Sequence, residues 1–553
     1  MSVQSYEEVK ELTRKLVAIP SIVRAPGGET NCARAIDSYY GNLPYFQKNP
    51  TQFKMFQTVD DSVVRHSTYA YVKGTKGNSN KTVILIGHID TVGVDDYMKY
   101  KEYAFRTDEL PAILKEKMHV SEEVLRDIDS GEYMFGRGTL DMKSGVAGHM
   151  FLIKYFSEHP EELCGNLIAI AECDEEDNSH GIISALYELE ELKKREGFEY
   201  IACINADYTT DYYPGDPNRY VYLGSIGKLL PSFYAVGKET HVGQSFGGLD
   251  PNLLLAEITR NFSLNTELCD EAHGEVTVPP ISLKQSDFKD GYTVQTALAA
   301  YSYFNFFTYS MSPIDVMQKT KEVAVRSFDN VVGYLNTEYQ KYCAKLGVDY
   351  TPLPWKTRVY TWEELYAELA AEHGELFTAH IARFAANLNQ AEPELDMRVF
   401  SVKVIEEAWT FLKDKSPAVV IFFGSVFSAR IEVTGKNEKE AALKSALEHA
   451  VHTVQPDCKN PINIKMFYPY IADSSFMAIS DDMASIESLL NNMPANKTKH
   501  HYPIDQIMQI NVPVVNIGTQ GKDGHKLTER VNMRYTFDNV PNMTYEVVKQ
   551  LLK

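Results

Sequence analysis

The sequence is poor in the features that mark secreted, membrane-bound or nucleic-acid-binding chains. Its seven cysteines (Cys32, Cys164, Cys173, Cys203, Cys269, Cys343 and Cys458) are scattered, odd in number and free of any C-x-x-C pair. This argues against a disulfide framework and for reduced thiols buried as small apolar groups. No apolar run approaches the roughly 18 residues of a membrane helix. Met1 to Lys15 is polar and charged and lacks the apolar core of a signal peptide. Positive charge is also short. Lys and Arg total 55 against 75 Asp and Glu, a net charge of −20. A field of that sign repels phosphate backbones and favours cationic substrates or divalent metals. There is no internal repeat, no linker rich in Gly or Pro, and no low-complexity tract. The expectation is a cytoplasmic protein with no nucleic-acid or membrane partner.

What is present is ordinary globular composition: 553 residues, 44% hydrophobic and 24% charged. At roughly 100–200 residues per domain the length predicts two or three domains. Lys81–Ile89 (KTVILIGHI) is a continuous apolar run of strand length, and Asn166–Glu172 (NLIAIAE) and Tyr200–Asn205 (YIACIN) repeat it. Such runs mark strands buried on both faces. Helical segments over Ser144–Glu158 and Gly181–Lys194 lie between them. Alternating strands and helices imply an α/β layer with a mainly parallel sheet, whose ligands gather at the carboxyl ends of the strands.

From about Gly227 the pattern changes. Leu229–Val236 reads as a strand, Asp250–Phe262 as a helix, Thr293–Tyr309 as a long aromatic strand or hairpin, and Ser312–Leu346 as a long helix. A helical stretch follows over Thr361–Leu388. A helix over Asn437–Val454 and strand-like pieces at Ile462–Phe467 and Val512–Ile517 then return, with Ala418–Phe423 a further strand just before them. The expected organisation is a catalytic domain over residues 1–227 and 430–553, with a second domain inserted at 228–429.

Acidic residues and histidines fall repeatedly just after the apolar strands. His88 and Asp90 sit in IGHIDTV, Asp141 in GRGTLDMKSG, Glu175 and Glu176 in ECDEEDNSHG, Asp207 in INADY, and His525 in GTQGKDGHKLTERV. Taken as metal ligands they give two histidines and three carboxylates, a donor set suited to zinc and also to cobalt or manganese. Five ligands are too many for one tetrahedral catalytic zinc, and the right number for two metals sharing a carboxylate. Two metals about 3.5–4 Å apart polarise a carbonyl and activate water. A spare carboxylate must take the water's proton, and one member of the Glu175–Glu176 pair is free to do so while the other binds metal.

These elements, in this order, resemble the family of aminoacylases, acetylornithine deacetylases, succinyl-diaminopimelate desuccinylases and carboxypeptidase G. The shared features are GHxDTV, GRGxxDMK, a DEE motif, an acidic ligand after the next strand, and a late Gly-rich loop with HxxxE. Length and the inserted middle look most like the arginine-utilisation (RocB-like) branch. The resemblance implies a zinc-peptidase-like three-layer α/β catalytic domain with an inserted α+β lid domain. It implies two divalent ions, most simply zinc, and hydrolysis of an amide bond in a small N-acyl amino acid or peptide, in arginine catabolism. By motif, His88 and Asp207 would hold one metal, Glu176 and His525 the other, and Asp141 would bridge them. Asp90 would orient His88, and Glu175 would be the general base and acid. Family members often carry a cis peptide after the bridging aspartate, here Asp141–Met142. His241, in VGKETHVGQSFGG, stands where the family places a histidine that polarises the scissile carbonyl, supplied in dimeric relatives by the partner subunit. A homodimer is therefore consistent with the resemblance. The family's usual His-Ala-Gly or His-Ser-Gly is here His-Val-Gly-Gln.

Other readings stand beside these. An aminopeptidase or dipeptidase is the alternative enzyme, and a non-catalytic ligand-binding member of the fold is the alternative class. Asp141 is also suited to cap the helix that follows it, and Asp211 lies close enough to replace Asp207. Asp473, in YIADSSF, is either a supporting residue of the site or a turn aspartate. Arg398 is either a substrate-carboxylate clamp or a surface ion pair. His88 and Asp141 are 53 residues apart, longer than the family leads one to expect. The excess segment, about 94–133, either shapes the substrate mouth or packs on the surface.

Overall fold

The computed structural model describes residues 3–425 and 427–553. The chain divides into two units. The first comprises Met1–Ile226, Ile431–Ile479 and Pro503–Lys553, and the second Gly227–Arg430 and Ser480–Tyr502. Residues 480–502 thus pack with the second unit although the chain has by then returned to the first.

The first unit is built on an eight-stranded sheet. Its strands are β1 (Phe53–Gln57), β2 (His66–Lys73), β3 (Lys81–His88), β4 (Asn166–Glu172), β5 (Glu199–Asn205), β6 (Arg219–Leu223), β7 (Ile462–Lys465) and β8 (Val514–Asn516). Their order in the sheet is β1-β2-β4-β3-β5-β8-β6-β7. The centre, β4-β3-β5-β8, is parallel, while β1-β2, β2-β4 and β8-β6 pair antiparallel. Val83, Ile84, Leu85 and Ile86 are fully buried, each contributing about 1.5–3 kcal/mol by leaving water. Helices Ser144–Glu158, His180–Glu196 and Glu438–Val454 pack against the sheet and make the layered α/β architecture.

Register then fixes the chemistry at one rim. His88 pairs with Glu172, and Ile86 with Asn205. β3 and β4 therefore end level, β5 ends two residues earlier, and the residues just beyond all three share one edge. This is where ligands collect in a parallel sheet.

The second unit carries its own sheet, in the order Ile281–Asp287, Ala299–Thr308, Pro231–Val236, Ala418–Phe423, Val359–Thr361. Helix Pro251–Phe262 packs on it, backed by the 34-residue helix Pro313–Leu346. That helix opens with a Ser312–Asp315 capping box and stops at Gly347 in the left-handed conformation. A separate core joins Trp362, Leu365, Phe377, Phe400 and Ile405.

Several local expectations are revised. Thr293–Tyr309 is one strand, Ala299–Thr308, whose partner Ile281–Asp287 carries too many polar residues to read as a strand. Thr361–Leu388 is two helices divided at Gly374, whose φ of 59° ends the first. Ala418–Phe423 is a strand as expected, in the second unit's sheet and paired with Pro231–Val236. All seven cysteines are free. Among the described residues no helix is long and apolar enough to cross a membrane.

One buried group in this frame is unpaid for. His149, on Ser144–Glu158, is 4% exposed, and neither ring nitrogen has a hydrogen-bond partner. Burial pushes its pKa down to about 3. The unfolded chain takes up this proton below about pH 6.5, whereas the folded chain refuses it until about 3. Stability therefore falls as the pH drops through that window, by up to about 1.4 kcal/mol per pH unit. His149→Leu is expected to raise the urea midpoint at pH 7, by about 1–3 kcal/mol in stability, and to flatten the loss between pH 6 and 4. Urea titrations of both proteins across that range test it.

Candidate metal centre

His88 ends β3 and is 2% exposed. Its Nε2 lies 2.9 Å from Asp141 Oδ1, and its Nδ1 lies 3.2 Å from the Asp90 carbonyl oxygen. Asp90 is wholly buried. Its two carboxylate oxygens accept the backbone N–H groups of Glu175 and Glu176, at 3.3 and 3.1 Å. Asp90 thus ties the end of β3 to the loop that carries both glutamates.

Asp141 faces two histidines. Its Oδ2 lies 2.8 Å from His525 Nε2, which is 3.0 Å from Glu176 Oε1. Asp141 does not cap the following helix, whose first turn has no side-chain cap. The Asp141–Met142 peptide bond is cis. Asp207 follows β5. Its backbone N–H donates to Asn516 Oδ1 at 3.0 Å, and its carbonyl accepts from Asn516 Nδ2 at 2.9 Å. A methyl group on Gly518 would stand 1.7 Å from that carbonyl oxygen, so only glycine fits there. Asp211, the alternative to Asp207, is engaged elsewhere, with Arg219 and Gln520.

Two three-residue groups have donor atoms within 4.8 Å of one another and share Asp141: His88–Asp141–Asp207 and Asp141–Glu176–His525. Neighbouring donors of a tetrahedral zinc with bonds near 2 Å stand about 3.3 Å apart, so side chains at 2.8–3.0 Å need little movement to close on an ion. Glu175, its Oε2 3.9 Å from His88 Nε2, shares neither of these two groups and forms a further one with His88 and Glu176.

Electrostatics give a second measure of fit. Burial and then Asp141 push the Asp207 carboxyl up to about 7. Burial, with Asp473, Glu176 and Asp207 adding to it against the pull of His88, drives Glu175 well above the carboxylate range. Hydrogen bonds to Asp141 and Glu176 raise His525 to about 10, so its proton competes with a cation for the same lone pair. The cluster has more buried carboxylates than its own cations can balance, a deficit of the kind that suits divalent ions.

The remaining predicted residues lie as follows. His241 is in the second unit and exposed, at the start of the turn Val242–Gln244. Its Nδ1 accepts the Gly243 N–H at 3.1 Å, so the neutral ring keeps its proton on Nε2. Asp473 is buried in the first unit, where burial raises its carboxyl to about 8. Arg398 forms an ion pair with Asp396.

Sequence reasoning assigned no task to three supporting residues. Glu529 Oε1 accepts the N–H groups of Gly138, Leu140 and Asp141, and its Oε2 accepts from Arg137 at 2.7 Å. It is the glutamate of the HxxxE pattern, the one signal that marked it. Asn516 had none. Nor did Arg65, which is buried and meets Asp174 at 2.7 Å, Asp61 at 2.7 Å and Glu29 at 3.3 Å. Asp174 in turn lies 2.6 Å from His180 Nδ1. Asp61, Asp174 and His180 also meet the geometry of a metal group, but the Arg65 guanidinium already supplies the cation. This network fixes the start of the glutamate loop, where Asp174 has a φ of 70°.

A layered α/β unit with such a cluster on its strand ends is the frame of a metal-dependent hydrolase. Residues 84–455 match Peptidase family M20/M25/M40. The chain is 34% identical to "Protein RocB" of Bacillus subtilis (strain 168), covering 99% of this chain and 95% of that one. It is 32% identical to "Uncharacterized protein YqjN" of the same organism, covering 100% and 98%. The structure of "a M20 family metallo-carboxypeptidase Sso-CP2 from Sulfolobus solfataricus" has the same fold, with a TM-score of 0.51 and 12% identity over 98% of this chain and 99% of that one. The chain belongs to peptidase family M20/M25/M40, and is a metallo-hydrolase of amide or peptide bonds.

Removing a buried cation from among three carboxylates leaves them uncompensated. Arg65→Met should lower folding stability by about 3–5 kcal/mol, with Arg65→Lys recovering part of it because the forked contacts are lost. Guanidinium titrations of the three proteins provide the comparison.

Proposed function

We propose that the chain hydrolyses the amide bond of a small N-acyl amino acid or peptide, using His88, Asp141, Glu176, Asp207 and His525 to hold two divalent ions. The observation that carries this is the pair of three-residue ligand groups sharing Asp141, with Glu175, a member of neither, beside His88. The imidazole and carboxylate donors suit zinc first, and also cobalt or manganese. When bound, such ions polarise the carbonyl and make water nucleophilic near neutral pH. Glu175 takes the proton from the attacking water and passes it to the leaving amine, a task matched to a carboxyl raised by burial. Asp90 orients His88 and keeps the glutamate loop against it. His241 donates from Nε2 to the developing oxyanion; what supports this is the Gly243 N–H on Nδ1, which leaves the other nitrogen as the donor. Asp473 supports the site from its buried place next to Glu175. We place the reaction in arginine catabolism, and in the cytoplasm, on the RocB-like resemblance and the unpaired cysteines.

Glu175→Ala should lower kcat by about 10²–10⁴-fold, the span of general acid–base catalysis, while metal content stays at two per chain. Asp141→Ala should lose both ions, because the carboxylate is shared. Elemental analysis beside hydrolysis assays, on N-acyl amino acids and dipeptides with zinc, cobalt or manganese, decides both. Activity surviving in Glu175→Ala removes the assigned base, and full occupancy in Asp141→Ala removes the bridge.

We further propose a homodimer joined through the second unit. Strand Ile281–Asp287 is the edge of its sheet and exposes Ile281 and Leu283. Open edges of this kind pair with a second copy. Sedimentation equilibrium should give twice the chain mass, and Leu283→Lys should give the monomer.

A further inference from the structure

Residues 94–133 carry none of the proposed metal ligands. They fold around their own small core of Val94, Tyr97, Phe105, Leu110, Leu114 and Val124. Leu527, two residues beyond His525, packs against that core. We infer that this segment is a clamp for one of the two metal positions, the one made by Asp141, Glu176 and His525. The inference rests on the metal reading proposed above.

Two arms reach from the segment. The first is its helix Glu122–Ser130. Asp127 Oδ2 accepts from Lys522 Nζ at 3.0 Å and from Arg530 Nε at 2.8 Å, and Glu123 Oε1 accepts from Lys522 Nζ at 2.8 Å. Lys522 and Arg530 are paired across two short strands, so they close the base of the loop that carries His525. Arg530 is itself buried and lies over the Phe135 ring at 5.7 Å. The second arm is Asp96, 3.2 Å from Arg137. Arg137 binds Glu529, and Glu529 holds the backbone N–H of Asp141 and of two residues before it. The two arms thus end on the two loops that supply Asp141 and His525.

The His525 loop has need of such support. Asp523 and His525 adopt φ angles of 59° and 64°. Left-handed backbone at non-glycine residues costs on the order of 1–3 kcal/mol each and persists only where the surroundings enforce it. His88 and Asp207 differ in kind: His88 ends β3 and pairs with Glu172, and Asp207, two residues past β5, is held on both sides of its backbone by the Asn516 side chain on β8. Loosening the arm on Lys522 and Arg530, which bears on the His525 loop alone, should therefore weaken the position that His525 completes and spare the one that His88 and Asp207 complete. Loss of an outer partner of a ligand typically weakens metal binding by about 10–100-fold.

The test is calorimetric titration of chelator-stripped, full-length protein with zinc alone. Wild type is expected to show two binding steps. The double variant Glu123→Gln, Asp127→Asn should keep the first step and weaken the second by about tenfold or more, and Asp127→Glu should restore it. Lys522→Gln, which cuts the same contacts from the loop side, should repeat the effect if the double variant does not fold. Two unchanged steps in a folded variant overturn the clamp, as does equal weakening of both. His525→Ala separates this from failure of the metal reading: if it still binds two zinc ions as wild type does, the ligand assignment falls, whereas loss of its second step with normal clamp variants overturns the clamp alone.

Discussion

Buried carboxylate charge at one rim of a parallel sheet is the constraint to which the rest of the first unit answers. Asp90, Asp141, Glu172, Asp207 and Asp473 are all buried there, with Glu175 and Glu176 beside them. Among the described residues, His88 and His525 are the bases that meet these carboxylates at the centre. Carboxylates taken out of water cost several kcal/mol each unless hydrogen-bonded or paired. The chain meets part of this cost with its own backbone. Asp90 takes two amide N–H groups, Asp207 takes that of Tyr208, and Glu529 takes three with Arg137 alongside. What is left uncompensated faces the centre, where two ligand groups meet at Asp141.

Much of this was legible before any coordinates. β3, β4 and β5 are apolar along their length because both faces are covered, and this continuity shows in one sequence. Residues after such strands land at the rim by geometry, which is why His88, Asp207 and the glutamate pair were found. β1 and β2 escaped notice because their polar and aromatic residues interleave. Ser67 and Thr68 are buried, yet each has a backbone partner, in Cys173 and Lys54. Nothing local announces such partners.

The supporting residues were illegible for a related reason. Arg65, Asn516 and Glu529 act on backbone or on other side chains far along the chain: Glu529 lies 391 residues from Gly138, whose N–H it accepts. A lone arginine or asparagine carries no periodicity and no motif, so its value exists only once the loops have met. The segment 94–133 is the intermediate case. Its excess length could be read from the spacing of two motifs, but its attachment to Lys522, Arg530 and Arg137 could not.

The candidate ligands fall into two mechanical classes. His88 ends a central strand in register with its neighbours, and Asp207, just past the next strand, is fixed by the Asn516 side chain. Asp141, Glu176 and His525 come from loops, and one of these holds His525 in a strained conformation. Ligands on strands set a position once the sheet has folded; ligands on loops take theirs from whatever the loops are tied to. On the proposed ligand set, the ion held by His88 and Asp207 would rest on the sheet, and the one held by Glu176 and His525 on contacts outside it. Under that proposal, variation in those contacts would alter affinity at a single ion without disturbing the hydrophobic strands on which folding depends.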